Sequence, residues 1–269
     1  LFFNKAMTVR TAANRALENQ LRHALENDEF VLHYQPKRDL ASGRIIGAEA
    51  LMRWNSPHAG LVPPNEFIPV LEQTGMIHEV GRWALRQAIR DYLGWCDAGR
   101  AAGRIAVNVS ALQLRNRDFV DEIARLVAVD PRAAGGLELE ITESMLMEDI
   151  DHGIKTLQGI RALGVHITLD DFGTGFSSLT YLTRLPLDVL KIDRSFIHDM
   201  TLGPNGVSVV ANIIKLAHSL NLRVVAEGIE TQEQARLLGV LECDEVQGFL
   251  YSAPVPREVL EDKFMPVRR

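Results

Sequence analysis

The feature that most constrains the fold is a regular alternation of short apolar runs with helical stretches from residue 30 onward. Most runs are rich in Val, Ile and Leu, which is typical of strands buried on both faces. Only the turn at 41–43 separates the first two runs, so we expect them to pair as an antiparallel hairpin. The predicted strands are 31–36, 44–54, 104–110, 137–142, 165–172, 188–193, 222–229 and 244–249. This order predicts an α/β fold, an irregular (β/α)8 TIM-like barrel with an antiparallel first strand.

Helices are predicted between the strands and at both ends of the chain. The first, 11–27, has leucines at four-residue spacing, as an amphipathic helix has. We interpret 1–27 as an N-terminal linker helix and 28–269 as the barrel domain. Gly164 and Gly239 fall where helix C-caps are expected. The other predicted helices are 77–99, 117–129, 150–163, 205–220 and 231–239, with a closing helix in the last dozen residues.

Composition and charge narrow the classes of partner. The net charge of −6 argues against a general DNA-binding surface, although bound divalent cations can still attract an anionic substrate. Cys96 and Cys243 form no CxxC pair, so neither a disulfide framework nor a thiolate zinc site is expected. No apolar run has the length of a membrane span and no signal peptide is visible. We expect a cytoplasmic domain, and a membrane anchor of a longer protein would lie outside this sequence.

Polar side chains stand at or near the end of the predicted strands. In a barrel the carboxyl ends of the strands open on one face, where active sites are built, so these side chains should converge. A cluster of carboxylates repels itself unless cations neutralise it. Oxygen ligands without cysteine suit Mg²⁺ or Mn²⁺. The residues concerned are Glu49, Arg53, Asn108, Glu140, Glu143, Asp170, Asp171, Lys191, Asp193, Glu227, Glu230 and Gln247.

An adjacent pair of aspartates, Asp170 and Asp171, is the most specific part of this pattern. Such a pair can place one oxygen on each of two metal ions, and two-metal sites serve in-line displacement at phosphorus. The glycine-containing segment 171–182 follows directly, which favours a functional loop over an ordinary connection. Each polar residue alone has a structural explanation, as a solvated loop residue, a cap or a rim ion pair. Their coincidence at strand after strand favours a site.

The run EALMRW at 49–54 resembles the signature of EAL-domain c-di-GMP phosphodiesterases. Other motifs of that family occur in its order and cover about Glu29 to Pro256, and taken together they are far more specific than the first one. They are YQP at 34–36, NVS at 108–110, ELEITES at 138–144, DDFGTGFSSLTYL at 170–182, LKID at 190–193, AEGIE at 226–230 and QGFLYSAPVP at 247–256. Phe176 stands where the family often has Tyr. The upstream helix resembles the linker that joins a GGDEF domain to an EAL domain.

The resemblance implies a role for each matching position. The implied ligands of two Mg²⁺ or Mn²⁺ ions are Glu49, Asn108, Glu140, Asp170, Asp171 and Glu227, with Asp170 shared between the ions. The implied catalytic groups are Glu49, Lys191, which would hold the attacking water, Glu227 and Gln247. The implied substrate contacts are Arg53, Gln35, Asp193 and Pro254. The residues implied to anchor the 171–182 loop, or to support the ligands behind it, are Glu143 and Glu230.

The implied activity is metal-dependent hydrolysis of c-di-GMP to linear pGpG by two-metal activation of water. The implied partners are c-di-GMP, a second copy of the chain in a homodimer, and an upstream GGDEF or sensory domain. One alternative is a c-di-GMP-binding receptor module with little or no turnover. Another is an enolase- or aldolase-like barrel enzyme in which Lys191 acts as a base or forms a Schiff base. A purely structural role is disfavoured because so many clustered carboxylates would be costly.

Overall fold

The structure is a computed structural model that describes residues 17–100, 103–146, 149–173 and 179–266. The strands are β1 (Phe30–Asp39), β2 (Ile45–Ser56), β3 (Gly60–Val62), β4 (Arg104–Asn108), β5 (Leu137–Thr142), β6 (His166–Phe172), β7 (Val189–Ile192), β8 (Arg223–Ala226), β9 (Glu245–Val246) and β10 (Val255–Pro256). The helices are α1 (17–26), α2 (Pro64–Thr74), α3 (Ile77–Asp97), α4 (Ala111–Arg115), α5 (Phe119–Val127), α6 (Ala133–Gly136), α7 (Glu143–Leu146), α8 (Ile150–Ala162), α9 (Leu179–Leu182), α10 (Arg194–Asp199), α11 (Pro204–Ser219), α12 (Gln232–Val240) and α13 (Arg257–Phe264).

The strands form one sheet that closes into a barrel. Their order is β10-β1-β9-β8-β7-β6-β5-β4-β2-β3, and a further pairing of β1 with β2 closes the ring. The steps from β2 through β4 to β9 are parallel, whereas β1 is antiparallel to both of its barrel neighbours, β2 and β9. The predicted irregular (β/α)8 barrel with an antiparallel first strand is therefore confirmed. The short strands β3 and β10 extend the sheet beyond the ring.

The β1–β2 hairpin determines which side chains face the interior of the barrel. Its register runs from Phe30 opposite Trp54 to Arg38 opposite Ile45, and it places Gln35 opposite Glu49. Because alternate residues of a strand face opposite sides, Tyr34 packs outward among the helices while its neighbour Gln35 faces inward. The hairpin thus contributes polar groups to the interior and apolar groups to the surrounding core.

Two apolar clusters stabilise the fold. The larger lies between the strands and the surrounding helices. The smaller joins α1 to α2 and to the outer end of the hairpin, with Leu21, Phe30, Trp54 and Phe67 buried in it. The described part of the predicted N-terminal helix therefore packs on the barrel, and its residues 11–16 lie outside the described ranges. The division at residue 27 stays a prediction.

The main differences from the sequence-based prediction concern helix ends and loops. Helix α2 was not predicted, although Pro64 begins it and Phe67, Val70 and Leu71 have the spacing of a buried helical face. The predicted cap at Gly164 is confirmed, since this residue follows α8 with φ 88°. The predicted cap at Gly239 is wrong. That residue lies inside α12, which continues by hydrogen bonding to Leu241.

Within the described ranges, no helix combines the length and the apolar character needed to cross a lipid bilayer.

Candidate active site

The ammonium group of Lys191 lies at the centre of an acidic cluster at the carboxyl ends of the strands. Its Nζ is 2.7 Å from Glu227 Oε1, 2.9 Å from Glu140 Oε2, 3.1 Å from Asp170 Oδ2 and 3.5 Å from Glu49 Oε2. Lys191 is completely buried. Four of the predicted ligands, carried by β2, β5, β6 and the end of β8, thus meet around one cation.

Amide side chains hold the carboxylate of Glu49 from both sides. Asn108 Nδ2 donates to Glu49 Oε1 at 2.7 Å, and Gln247 Nε2 donates to Glu49 Oε2 at 2.6 Å. Gln247 Nε2 also donates to Gln35 Oε1 at 2.9 Å. The Oε1 atom of Gln247 is buried and has no hydrogen-bond partner among the described residues. Because buried polar atoms are rarely left unpaired, this oxygen points to a water or a ligand donor in the site.

Asp170 and Asp171 both contribute to the cluster because the backbone is irregular between them. In a regular strand, adjacent residues face opposite sides. Here the register between β6 and β7 shifts between Leu169 and Phe172, and Asp171 has a left-handed backbone with φ 55°. Carboxylate oxygens of Asp170, Asp171 and Glu227 consequently lie within 4.8 Å of one another, a spacing that allows a shared metal ion.

A second layer of charge lies beneath the cluster and was not predicted from the sequence. The ammonium group of Lys37 is buried between Glu138 Oε1 at 2.7 Å and Glu140 Oε1 at 2.8 Å. Thr168 Oγ1 also donates to Glu138 at 2.8 Å. Lys37 therefore fixes one oxygen of Glu140 while Lys191 contacts the other. The sequence contained a signal for this layer. Lys37 lies two residues after Gln35, Glu138 lies two residues before Glu140, and residues two apart lie on the same face of a strand.

The electrostatics of the cluster leave carboxylates that the lysines do not fully neutralise. Burial alone would raise the pKa of Glu140, but Lys191 and Lys37 hold that pKa at about 2. Burial raises the pKa of Glu227 to about 8 even though Lys191 opposes the shift. Burial also raises the pKa values of Glu49 and Asp170. Protons or further cations must therefore neutralise part of the site.

These observations fit divalent metal ions. The donor set consists of carboxylate and amide oxygens, which Mg²⁺ and Mn²⁺ prefer. The carboxylates outnumber the two lysines among them, and Asp170, Asp171 and Glu227 are spaced for a shared ion. Added positive charge at this position would lower the raised pKa of Glu227 and favour the ionised cluster. All six predicted metal ligands belong to this assembly or border on it.

The structure places the predicted substrate contacts Arg53, Asp193 and Pro254 on or next to β2, β7 and β10. Arg53 lies on β2 four residues after Glu49, so the two residues belong to the same face of the strand. Its side chain is half-buried and donates to the carbonyl oxygen of Met52 at 2.8 Å. Asp193 caps α10 by accepting from Ser195 N at 3.0 Å. Burial raises the pKa of Asp171, and the charge of Asp193 adds to that shift. Pro254 lies immediately before β10.

The residues expected to anchor the active-site loop lie at two helix starts. Glu143 begins α7 and is buried, whereas Glu230 is exposed just before α12. Residues 174–178 of the predicted functional loop lie outside the described residues, so the anchoring role of both glutamates stays a prediction.

A closed α/β barrel with a buried acidic cluster at the carboxyl ends of its strands places the chain in the class of barrel proteins whose site at that face could hold a divalent cation. Residues 18–254 match the EAL domain family. The chain belongs to the EAL domain family.

Two curated relatives from Pseudomonas aeruginosa illustrate the similarity. The bifunctional diguanylate cyclase/cyclic di-GMP phosphodiesterase MucR is 43% identical over 259 residues, covering 96% of this chain and 38% of MucR. The cyclic di-GMP phosphodiesterase NbdA is 44% identical over 261 residues, covering 97% of this chain and 33% of NbdA. The chain thus spans between a third and two fifths of the length of these relatives.

Solved structures give the same relationship in three dimensions. The structure of the PaMucR phosphodiesterase in its c-di-GMP complex is 44% identical, with a TM-score of 0.87, and the match covers 91% of this chain and 99% of that one. The EAL enzyme Bd1971, in a form with cAMP and cyclic-di-GMP bound, is 39% identical with a TM-score of 0.89, covering 94% of this chain and 69% of that one.

Proposed function

We propose that this chain is a metal-dependent phosphodiesterase that hydrolyses c-di-GMP to linear pGpG. The observation that carries the proposal is the acidic cluster around Lys191, which together with Asp171 brings together the five carboxylates that the resemblance implies as metal ligands. The names of MucR and NbdA, each more than 40% identical over nearly the whole chain, support the same substrate.

Two Mg²⁺ or Mn²⁺ ions are proposed as cofactors. Glu49, Asn108, Glu140 and Asp170 would hold one ion, and Asp170, Asp171 and Glu227 the other. When bound, such ions make water a better nucleophile and neutralise charge that develops at phosphorus. Amides hold both carboxylate oxygens of Glu49, and lysines hold both of Glu140, so these two proposed ligands have fixed orientations.

The side chains of the chain itself have separate proposed tasks. Arg53 would pair with a phosphate oxygen of the substrate and stabilise the negative charge of the transition state. Lys191 would orient the attacking water through its N–H donors, and the unpaired Oε1 of Gln247 would accept a hydrogen bond from water in the same network. Glu227, which lies 2.7 Å from Lys191 Nζ beside the proposed position of the water, would accept the proton that the nucleophile loses.

We further propose that the full-length protein carries a GGDEF or sensory domain upstream and that the barrel pairs as a homodimer. The name of MucR, which joins a diguanylate cyclase to a phosphodiesterase, supports the first part. Sedimentation of the full-length protein with and without c-di-GMP tests the second, and a monomer under both conditions would contradict it.

The decisive experiment compares Glu49→Gln with Glu66→Gln in a Mn²⁺-dependent assay of pGpG release. Glu49 is buried between Asn108 and Gln247, whereas Glu66 is exposed on α2. We expect kcat of Glu49→Gln to fall at least about a thousandfold, since loss of a metal ligand removes several kcal/mol of transition-state stabilisation. Glu66→Gln should match the wild type.

Two outcomes would contradict the proposal. Near-wild-type turnover of Glu49→Gln in excess metal would reject the assigned site. Binding of c-di-GMP by the wild type without any release of pGpG would replace the enzyme by a receptor module.

A further inference from the structure

A buried ion cluster outside the barrel fastens α13 to β1 and α3. The hydroxyl of Tyr34 donates to Asp91 Oδ2, and Arg257 donates from one guanidinium nitrogen to Asp91 Oδ1 at 2.7 Å. Gln87 Nε2 also donates to Asp91 Oδ1, at 2.9 Å. Tyr34 and Asp91 are fully buried. We call the contact of Tyr34, Asp91 and Arg257 the clasp.

The guanidinium of Arg257 is held on both of its sides. Its Nε donates to Glu261 Oε1 at 2.6 Å within α13, and Glu261 in turn accepts from Trp95 Nε1 of α3 at 2.8 Å. A planar guanidinium with two carboxylate partners has a fixed orientation, unlike a single ammonium contact. The start of α13 is therefore fixed in direction as well as in distance.

The clasp is joined through β10 to the segment 252–256, which we call the wall and which contains the proposed substrate contact Pro254. Arg257 follows β10, whose residues Val255 and Pro256 pair with Tyr34 and His33. Tyr34 faces outward to Asp91, whereas its neighbour Gln35 faces the barrel interior and donates to Ser252 O at 3.0 Å. The segment 252–256 is thus attached to β1 from the inside by Gln35 and from the outside by the clasp.

The same segment connects to the acidic cluster through a short chain of hydrogen bonds. Gln35 accepts from Gln247 Nε2 at 2.9 Å, and Gln247 also donates to Glu49 at 2.6 Å. Glu49 itself is held independently by Asn108 at 2.7 Å. Loss of the clasp would therefore displace the wall at 252–256 more than the carboxylates.

We propose that Tyr34, Asp91 and Arg257 are positioning residues that set the substrate-facing segment 252–256, with Pro254 at its centre, and thereby determine affinity for c-di-GMP. This inference rests on the proposed function. A purely mechanical fastening of α13 needs no buried charge, because apolar packing would serve without the desolvation that a buried carboxylate costs. A directional clasp fixes one geometry of the wall, as a preorganised binding surface requires.

The test uses two variants that open the clasp from opposite ends, Tyr34→Phe and Arg257→Met. Tyr34→Phe keeps the ring that packs edge-on against Trp95. Arg257 is 36% exposed at the edge of a groove of about 470 Å³, so water can replace its contact with Asp91. The matched control is Arg132→Met, which removes an exposed arginine bonded to Asp97 and Asp130 at 2.8 Å each.

The readouts are KM, kcat, the Kd for c-di-GMP by calorimetry in EDTA, the Kd for Mn²⁺, and Tm. We expect KM and the c-di-GMP Kd to rise about tenfold in both variants, the scale of one charge-assisted hydrogen bond, while kcat and the Mn²⁺ Kd stay within about twofold. Arg257→Lys, which keeps the charge without bonding both carboxylates, should recover part of the affinity. Arg132→Met should change none of these values.

A lower Tm with unchanged KM and c-di-GMP Kd would overturn the inference and leave the clasp a structural contact. A parallel loss of Mn²⁺ affinity would overturn it as well, because the effect would then reach the acidic cluster. If one variant fails to fold, the other supplies the comparison, and if both fail, Arg257→Lys supplies it with a smaller expected rise in KM and in the c-di-GMP Kd. Failure of the proposed function is distinguishable, since a wild type that binds c-di-GMP without cleaving it still allows the Kd comparison.

Discussion

Lys191 and Lys37 show what a single residue contributes when it is buried among opposite charges. Each ammonium group contacts more than one carboxylate, and Glu140 lies between the two lysines. Removing one partner of a buried pair leaves an uncompensated charge, which is far more costly than the pair itself is stabilising. The carboxylates therefore depend on the lysines for their ionised state, and the lysines on the carboxylates for their burial.

The thiol of Cys243 offers a prediction at the same scale. It is buried between the carbonyls of Val224 and Glu245, and burial raises its pKa from 9.0 to about 12. We expect it to resist a thiol reagent at pH 8 in the folded protein and to react fully in guanidinium. Stability should fall as pH rises from 9 towards 12, because the unfolded chain then ionises this thiol while the folded chain does not.

Reaction rates measured on Cys96→Ser, in which Cys243 is the remaining cysteine, check this expectation. Rapid labelling of the native variant at pH 8 would show that the thiol is accessible and the prediction wrong. In Cys243→Ala, the part of the pH dependence above 9 that this thiol causes should disappear.

Much of the site could be predicted at the residue level, because its groups follow strands in recognisable motifs. Glu49, Asp170 and Lys191 could be named as candidate site residues from the sequence alone. Lys37 was not predicted as a buried residue, because its partners Glu138 and Glu140 are about a hundred residues away in sequence and become its neighbours only when the barrel closes. The alternation along β1 places Lys37 on the same strand face as Gln35, but charged residues on a strand face are usually solvated, so this signal alone did not mark the lysine as buried.

Among the elements, the loops after β8 and β9 determine where Gln247 lies. Gln247 O accepts from Ile229 N at 3.1 Å, and Leu250 N donates to Ile229 O at 2.9 Å, so the two loops cross at Gly248. A Cβ on Gly248 would lie 2.2 Å from both Ile229 N and Ile229 O. The crossing therefore requires glycine.

We expect Gly248→Ala to displace Gln247 and to lower kcat/KM by about a hundredfold or more, as a shift of one catalytic group by about 1 Å can. The backbone clash should also destabilise the protein, by about 1–3 kcal/mol. The control is Gly135→Ala in α6, where a Cβ would meet no atom within 4 Å. Kinetics and urea unfolding measure both effects, and a Gly248→Ala protein with wild-type kcat/KM would refute this role of the crossing.

Strands were easier to predict than the connections between them. Runs of Val, Ile and Leu gave β5 with its observed bounds and the other barrel strands to within a few residues. The short helices α4, α6, α7 and α10 were missed because a helix of four to six residues has too few positions to show a period. The bulge at Asp170 and Asp171 depends on the register with β7, which no local pattern encodes.

At the scale of the whole molecule, excess negative charge in the cluster should couple stability to divalent cations. We expect saturating Mn²⁺ to raise Tm by about 5–10 °C, since a ligand at a hundred times its Kd stabilises the folded state by about 2.7 kcal/mol. EDTA should reverse the shift. Thermal unfolding with and without Mn²⁺ measures it.

Asp170→Asn provides the matched comparison for that experiment. It keeps the size of the side chain but removes a carboxylate that both proposed ions share, so its Mn²⁺-dependent shift should be largely lost. An equal shift in this variant and in the wild type would place the stabilising ions elsewhere.

The antiparallel placement of β1 has a consequence for folding during synthesis on the ribosome. This strand is translated before every other strand of the barrel, yet it pairs with β9 and β10, which are translated last. While the ribosome is still making the middle of the domain, the hairpin has one edge of unpaired amides and carbonyls that could capture another nascent chain. The ring can therefore close only after residues 245–256 have left the exit tunnel. Until then the unpaired edge of β1 is open to other nascent chains, so aggregation of this fold is most favoured on polysomes.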